Sequence, residues 1–522
     1  MYSNIRCEKD QIFSLKNIKK IHWNYLIIVT AVIISYCVYI PKHYGLDSWN
    51  VQKMYQNFDL MQDNHFNAVM DEAIFSCFSA GRFMRGIVFL CFALPRHACL
   101  LMQPWVNVVA IIFMCLSGCK LWKLVEQCSR GTNTKILFGC CVLAICNPFF
   151  TDWMQFTECQ LYHPLALWLA ITAAEKAMHS SFSSLRCWCS ASALLIMSAG
   201  FYQVAMQFYA VMIVILLGDY LHTSSLNLKK LLWKIVFAIS IYGVAAFVQL
   251  ILTNIIFQSD RIQSYDLSYA IHELFSAQKN LFRMTSYTQN PLSMLFPIFI
   301  IILSVKCILC IFSLKEKRTV HFILSVVRFL GFYIAIFLPF IISLWFPQRS
   351  LVGFWCMPLI LAVIINDIEY FERNTSISYA IDTGISIIMS ILILSNVYSC
   401  ICFGVDLYKV NAIDAMRAQW MSNAIDDYEE ASGSIIDQIA FYQPEDKKYE
   451  YPQIVKCYEN NQVAWSAVWN HMAILELISN RDFTQIDYPM TQYQQLQSQY
   501  ADKLKQRDFI TFKYNTAYIA LY

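Results

Sequence analysis

Apolar runs of membrane-crossing length, separated by short polar loops, fill the first 400 positions of the chain. A spanning helix needs about 20 apolar residues. That length predicts spans near 23–40, 103–122, 135–151, 163–179, 187–203, 204–221, 231–256, 292–313, 322–345, 351–367 and 379–400. Residues 84–102 break the pattern with Arg85, Pro95, Arg96 and His97. Such groups are expensive at the bilayer centre, so this stretch is expected to lie at the interface as an amphipathic or re-entrant helix. Past residue 400 the runs shorten. Asp406 to Tyr428 and Gln462 to Ile478 have helical spacing, which sets Trp465 and Trp469 one turn apart on one helix face. Gln443 to Lys448 reads as a loop.

The expected fold is an all-α polytopic membrane protein with about eleven spans. Residues 1–22 form a cytoplasmic N-terminus and 23–400 the transmembrane part, with a first outer loop at 41–102. Residues 401–522 form a small, mostly helical outer domain. The polar, basic stretch before the first span and the lack of a small-residue cleavage site point to a retained signal-anchor.

Composition agrees: 57% of the 522 residues are hydrophobic and 14% charged, against about 25% charged in soluble domains. The net charge of +3 conceals an asymmetry. Residues 401–522 hold sixteen acidic and ten basic residues, net −6, which leaves +9 for the first 400. The basic residues of the membrane part fall in alternate loops: Lys120, Lys123, Arg130 and Lys135; Lys176 and Arg186; Lys229, Lys230 and Lys234; Lys315, Lys317 and Arg318. The positive-inside rule makes those loops cytoplasmic. Loops 41–102, 152–162, 257–291 and 346–350 and the tail then lie outside. The loop after residue 367 holds Asp367, Glu369, Glu372 and Arg373 and does not help. Most of the twenty cysteines sit in apolar runs, where cysteine acts as a small hydrophobe. Cys187-Trp188-Cys189 is too tightly spaced for a zinc half-site, so no metal site is expected; Cys402 and Cys457 could pair in an oxidising compartment. Phosphate-binding glycine motifs and basic patches with interleaved aromatics are both missing, so neither nucleotide nor nucleic acid is an expected partner.

The candidate chemistry gathers in the outer loops. Asp47, just past the first span, suits a general base; it equally suits an interfacial residue capping the next helix, with Ser48 and Trp49 at the headgroups. Gly81-Arg82 offers a guanidinium able to hold a phosphate bidentately, and Arg85 follows one turn later; both could simply snorkel to headgroups. The stretch from Asn147 to Pro164 holds Asp152, Glu158, His163 and several aromatics, the groups a sugar needs for stacking and hydroxyl contacts. Tyr202-Gln203 joins two spans directly, and Pro347-Gln348-Arg349 makes another short outer turn.

In this order, these motifs resemble the GtrII-like bacterial glucosyltransferases that modify O-antigen and convert serotype. The resemblance rests on Asp47, Gly81-Arg82, Asn147-Pro148-Phe149-Phe150 with Glu158, Tyr202-Gln203 and Pro347-Gln348-Arg349. It implies a GT-C type inner-membrane enzyme without a cofactor, whose site faces the periplasm. Sugar, usually glucose, would pass from undecaprenyl phosphate to lipid-linked O-antigen. A companion flippase and a sugar-charging glycosyltransferase are the implied partners. On the resemblance, Asp47 is the base, Arg82, Arg85 and Arg349 contact the donor phosphate, and Glu158, His163, Tyr202, Gln203 and Trp49 contact sugars. Many relatives pair two acidic residues where this chain has Asp47-Ser48, so Asp71 and Glu72 remain rivals for the base. A flippase or transporter would place ionisable groups within spans or show repeated halves. A polymerase or ligase would concentrate function in a large late outer loop. Neither pattern is evident in this sequence.

Overall fold

The computed structural model describes residues 15–128, 134–179, 184–218, 228–257, 268–269, 271–273, 275–276, 290–314, 318–337, 348–371, 377–443, 451, 454, 461–489, 491, 494 and 508–521. Each of the eleven expected spans falls on a helix: α1 (Leu15–Tyr36), α5 (Pro104–Cys128), α6 (Thr134–Ile145), α8 (Tyr162–His179), α9 (Leu185–Phe201), α10 (Met206–Leu216), α11 (Leu228–Leu250), α12 (Leu295–Ser313), α13 (Arg318–Phe337), α14 (Met357–Phe371) and α15 (Ile377–Ser432). Among the described residues, five helical segments are long and apolar enough to cross a membrane, and six more are apolar but shorter. Outward-facing Ile27, Ile34, Ile112, Val236, Ile239, Ile301 and Leu394 leave a largely apolar exterior, as lipid contact requires. Inside, α8 packs on α5, α9 and α10, and α6 packs on α14 and α15.

Short helices fill the loop between α1 and α5: α2 (Ser48–Leu60), α3 (His65–Glu72) and α4 (Phe83–Ala93). Their core is Tyr55, Phe58, Val69, Phe89 and Leu101. Helix α7 (Thr151–Gln155) lies in the loop before α8.

The tail departs from expectation in three ways. The helix of the last expected span does not end at 400; it runs 56 residues as α15, about 84 Å at 1.5 Å per residue, and carries the chain straight into the tail. Beyond it, the described residues of the tail are not mostly helical. Strands β1 (Gln438–Tyr442), β2 (Thr484–Gln485), β3 (Phe509–Lys513) and β4 (Thr516–Ala520) form one sheet in the order β2-β1-β4-β3. Strand β1 is parallel to β2 and β4, while β3 and β4 are antiparallel. Central β4 is buried throughout, so it lacks the alternation that marks a one-faced strand. Third, only α16 (His471–Ser479) is helical in the Gln462–Ile478 stretch. Trp465 and Trp469 sit on separate 3-10 turns, the first fully buried and the second 57% exposed. The tail core, built on Trp465, Ile439, Ile519 and Ile474, also takes in Ala418, Met421 and Ile425 of α15.

The spans are less clean than the sequence suggested. Lys306 pairs with Asp382. Arg328 pairs with Asp367 at 2.5 Å, so Asp367 is a helix residue with a partner and not a loop charge. Each pair offsets the cost of a buried charge. Arg130, Lys315, Lys317, Pro347, Arg373 and Cys457, the expected partner of Cys402, lie outside the described residues.

Candidate active site

The segment carrying Asp47 is fixed on both sides. Facing the 151–158 loop, His43 Nε2 meets Met154 O at 2.8 Å and Thr157 Oγ1 donates to His43 O at 2.6 Å. Gly45 packs so closely here that a Cβ would lie 2.8 Å from Gln155 O. Facing α15, Asn411 exchanges two 2.8 Å hydrogen bonds with the Tyr44 backbone. Ser48 Oγ accepts from Gly45 N at 3.0 Å and donates to Glu158 at 2.6 Å. Asp47 is therefore held at the start of α2, exposed, with one carboxylate oxygen accepting from Trp469 Nε1 at 3.1 Å. It makes no side-chain capping bond to α2, so the capping role is not what its carboxylate does.

Glu158 is 5% exposed. Burial pushes its carboxyl up; the Ser48 hydroxyl and the Arg85 charge oppose that shift, and the Asp47 charge adds to it. Arg85 is buried, donates to Cys159 Sγ at 2.9 Å and lies 5.7 Å from the Tyr162 ring. Glu72, half-buried at the end of α3, also feels Arg85, and burial raises its carboxyl as well. Asp71 beside it is exposed.

Arg82 is aimed by unusual backbone. A π-helical turn, Ala73–Phe78, is followed by Gly81 at φ +71°, a conformation costly for residues with a side chain. A Cβ on Gly81 would lie 2.6 Å from Gln203 Nε2 and 2.7 Å from Gln249 Oε1. Gln203 Nε2 donates to Ala80 O at 2.8 Å, tying the α9–α10 junction to this turn. The Arg82 guanidinium lies 5.7 Å from the Tyr202 ring. Tyr202 packs 3.9 Å from His163, and His163 lies 5.3 Å from Trp153. Trp153 Nε1 donates to Arg349 O at 2.8 Å, and the Arg349 guanidinium sits 5.4 Å from the Phe156 ring. Arg82, Arg85 and Arg349 all act electrostatically on His163.

Arg82, Arg85, Arg349, Glu158, His163, Tyr202 and Gln203 thus form one cluster, with Asp47 at its edge through Ser48 and Glu72 facing it through Arg85. Asp71 is not drawn into these contacts. Trp49 turns away. It stacks on Tyr44 at 4.0 Å and is 3% exposed in the tail core, so its ring has no face left for a sugar. Gln249 was missed because it lies in a run that reads as plain span. It is 8% exposed, and neither polar atom of its amide has a hydrogen-bond partner among the described residues. A glutamine inside an apolar helix was the available signal. Among the described residues no three His, Cys, Asp or Glu side chains converge as metal ligands would.

This cluster brings guanidiniums suited to an anion near the Glu158 carboxylate. No curated protein matches the chain. The solved structure of ArnT from Cupriavidus metallidurans, bound to undecaprenyl phosphate, is 9% identical, with 95% of this chain and 97% of that one covered; the TM-score of 0.38 is too low to carry an argument about fold. The sequence family described as Glucosyl transferase GtrII matches residues 57–366. That match takes in more than half of the chain and all of the arginine cluster, and the chain belongs to the GtrII family of glucosyl transferases.

Proposed function

We propose that this enzyme, of GT-C type, moves glucose from undecaprenyl phosphate to lipid-linked O-antigen at the periplasmic face of the bacterial inner membrane. The observation that carries this reading is the packing that links Arg82 through Tyr202 and His163 to Trp153 and the Arg349 backbone, with Arg85 against Tyr162, at the end of the bundle where Asp47 and Glu158 are joined through Ser48. Three cations in a largely buried setting suit a phosphate monoanion or dianion.

Asp47 takes the proton of an acceptor hydroxyl. That oxygen bonds to the glucosyl C1 as the bond from C1 to the phosphate oxygen breaks, and the electron pair leaves with undecaprenyl phosphate. The arginines stabilise the charge that grows on the departing phosphate. Gln203, half-buried, borders the glucosyl unit, and Tyr202 and His163, each 4% exposed, pack behind it. Glu158 holds Ser48 and offsets the guanidinium charge. Glu72 balances Arg85 from the other side. Asp71, exposed and outside the cluster, is the weaker of the two rival bases.

The test is expression in a host of defined O-antigen, with and without the supply of undecaprenyl-phosphate-glucose, followed by mass and linkage analysis of the glycan. A hexose gained only when the donor is supplied is the expected result. An unchanged glycan, or a hexose gained without that donor, contradicts the proposal.

A further inference from the structure

A recess lies beside Asp47, outside the arginine cluster. It is a cavity of about 390 Å³ between α2 and the tail, lined among others by Asn50, Lys53, Asn57, Trp469, Glu476 and Gln485. Its volume lies in the usual range for small-molecule sites, about 300–1,000 Å³. We propose that this groove is the acceptor subsite, taking a neutral oligosaccharide segment, and that Trp469 is both its stacking platform and the positioning residue for Asp47. The inference rests on the transferase reading above.

Chemistry favours a glycan here. Trp469 is 57% exposed on the groove wall, unlike its buried neighbour Trp465. An exposed indole face stacks on the C–H face of a sugar, and its polar edge can still hydrogen-bond. Asn50, Asn57 and Gln485 supply amide donors and acceptors, which match hydroxyls in both directions. Lys53 is engaged, at 3.3 Å from Glu476 and 2.5 Å from Asp482. One ammonium against two carboxylates leaves the wall slightly negative, so a polyanion is disfavoured. Lys53 also ties α2 to the tail, which holds both walls in register.

The groove meets the chemistry through one contact. Trp469 Nε1 donates to Asp47 Oδ1 at 3.1 Å, which leaves the other carboxylate oxygen to face an acceptor hydroxyl. Asn470, next in the chain, donates to Leu46 O. A glycan stacked on Trp469 therefore lies beside the carboxylate that would deprotonate it, and the tail acts as a ruler for which hydroxyl is presented.

The experiment uses the full-length enzyme in nanodiscs, with undecaprenyl-phosphate-glucose as donor and lipid-linked O-antigen as acceptor. Trp469→Ala, and Asn57→Trp to fill the groove, should raise the acceptor KM about tenfold or more, equivalent to about 1.4 kcal/mol, and leave the donor KM unchanged. Trp469→Phe keeps the ring face but loses the N–H; it should hold the acceptor KM within about threefold while kcat falls about tenfold. Parallel changes in both KM values, or none in either, overturn the inference. If the wild-type enzyme transfers no hexose, the transferase reading fails separately. Saturation-transfer NMR with neutral O-polysaccharide fragments then decides the groove: contact that is lost in Trp469→Ala upholds it, and unchanged or absent contact refutes it.

Discussion

Gly81 shows how one residue without a side chain can set the direction of a charge. Its φ of +71° and its close contacts with Gln203 and Gln249 leave no room for a Cβ. A left-handed backbone costs other residues about 1–2 kcal/mol. Gly81→Ala removes no charge, yet it should weaken undecaprenyl phosphate binding about as much as Arg82→Ala does; wild-type affinity in the glycine variant would separate Arg82 from the turn that carries it. Gln249 makes the opposite kind of prediction. Its amide is buried without partners among the described residues, and an unsatisfied buried amide costs about 1–3 kcal/mol. Gln249→Leu should therefore raise thermal stability while raising the donor KM. A variant that is less stable, or that uses donor normally, would show the amide to be structural. Asp47, Arg82 and Arg85 could be singled out from sequence because each is a charge beside an apolar run. The inward turn of Trp49 could not: interfacial and core tryptophans look alike in sequence, and apart from Tyr44 the partners that cover Trp49 lie some 370 residues or more further along the chain.

At the scale of elements, α15 joins membrane to tail without a break. Asp414 is the polar anchor of that joint. Its carboxylate accepts from Tyr451 Oη at 2.5 Å and from Ala464 N at 3.1 Å, and one turn along Arg417 makes two hydrogen bonds to Asp508. Burial lifts Asp414 to about 7. A carboxyl whose pKa is raised on folding binds its proton more tightly in the folded state. Its stabilising contribution is thus complete below the unfolded value, about 3.9, and is lost as pH rises through about 7. Corrected hydrogen-exchange protection of amides 464–475 should fall between pH 5 and pH 8 in the wild type and change much less in Asp414→Asn. Equal pH dependence in both would place the effect elsewhere. The spans were legible because hydropathy alone dictates them. The sheet was not. Strand β1 pairs with β4 across more than seventy residues, the fully buried β4 has no alternating pattern to read, and α15 continues past the point where its apolar run stops.

Across the whole molecule, the loop between α1 and α5, the 151–158 loop and the tail meet at one end of the bundle. Asp47 is linked to the arginine cluster through Ser48 and Glu158 and to the groove through Trp469. Donor and acceptor would then meet at the same carboxylate. This gives the acidic tail a purpose that its charge alone did not reveal. It also ranks the acidic residues: Glu158 and Glu72 feel the Arg85 guanidinium, Asp71 stands apart, and Asp47 is the one in contact with the groove tryptophan. The most direct test is transfer by purified Asp47→Asn enzyme in nanodiscs, assayed with undecaprenyl-phosphate-glucose and lipid-linked O-antigen beside the wild type. Asparagine keeps the shape and can still accept from Trp469 but cannot take the proton. The account predicts normal expression and donor binding with transfer reduced by about 10²–10⁴-fold; transfer near the wild-type rate would contradict it.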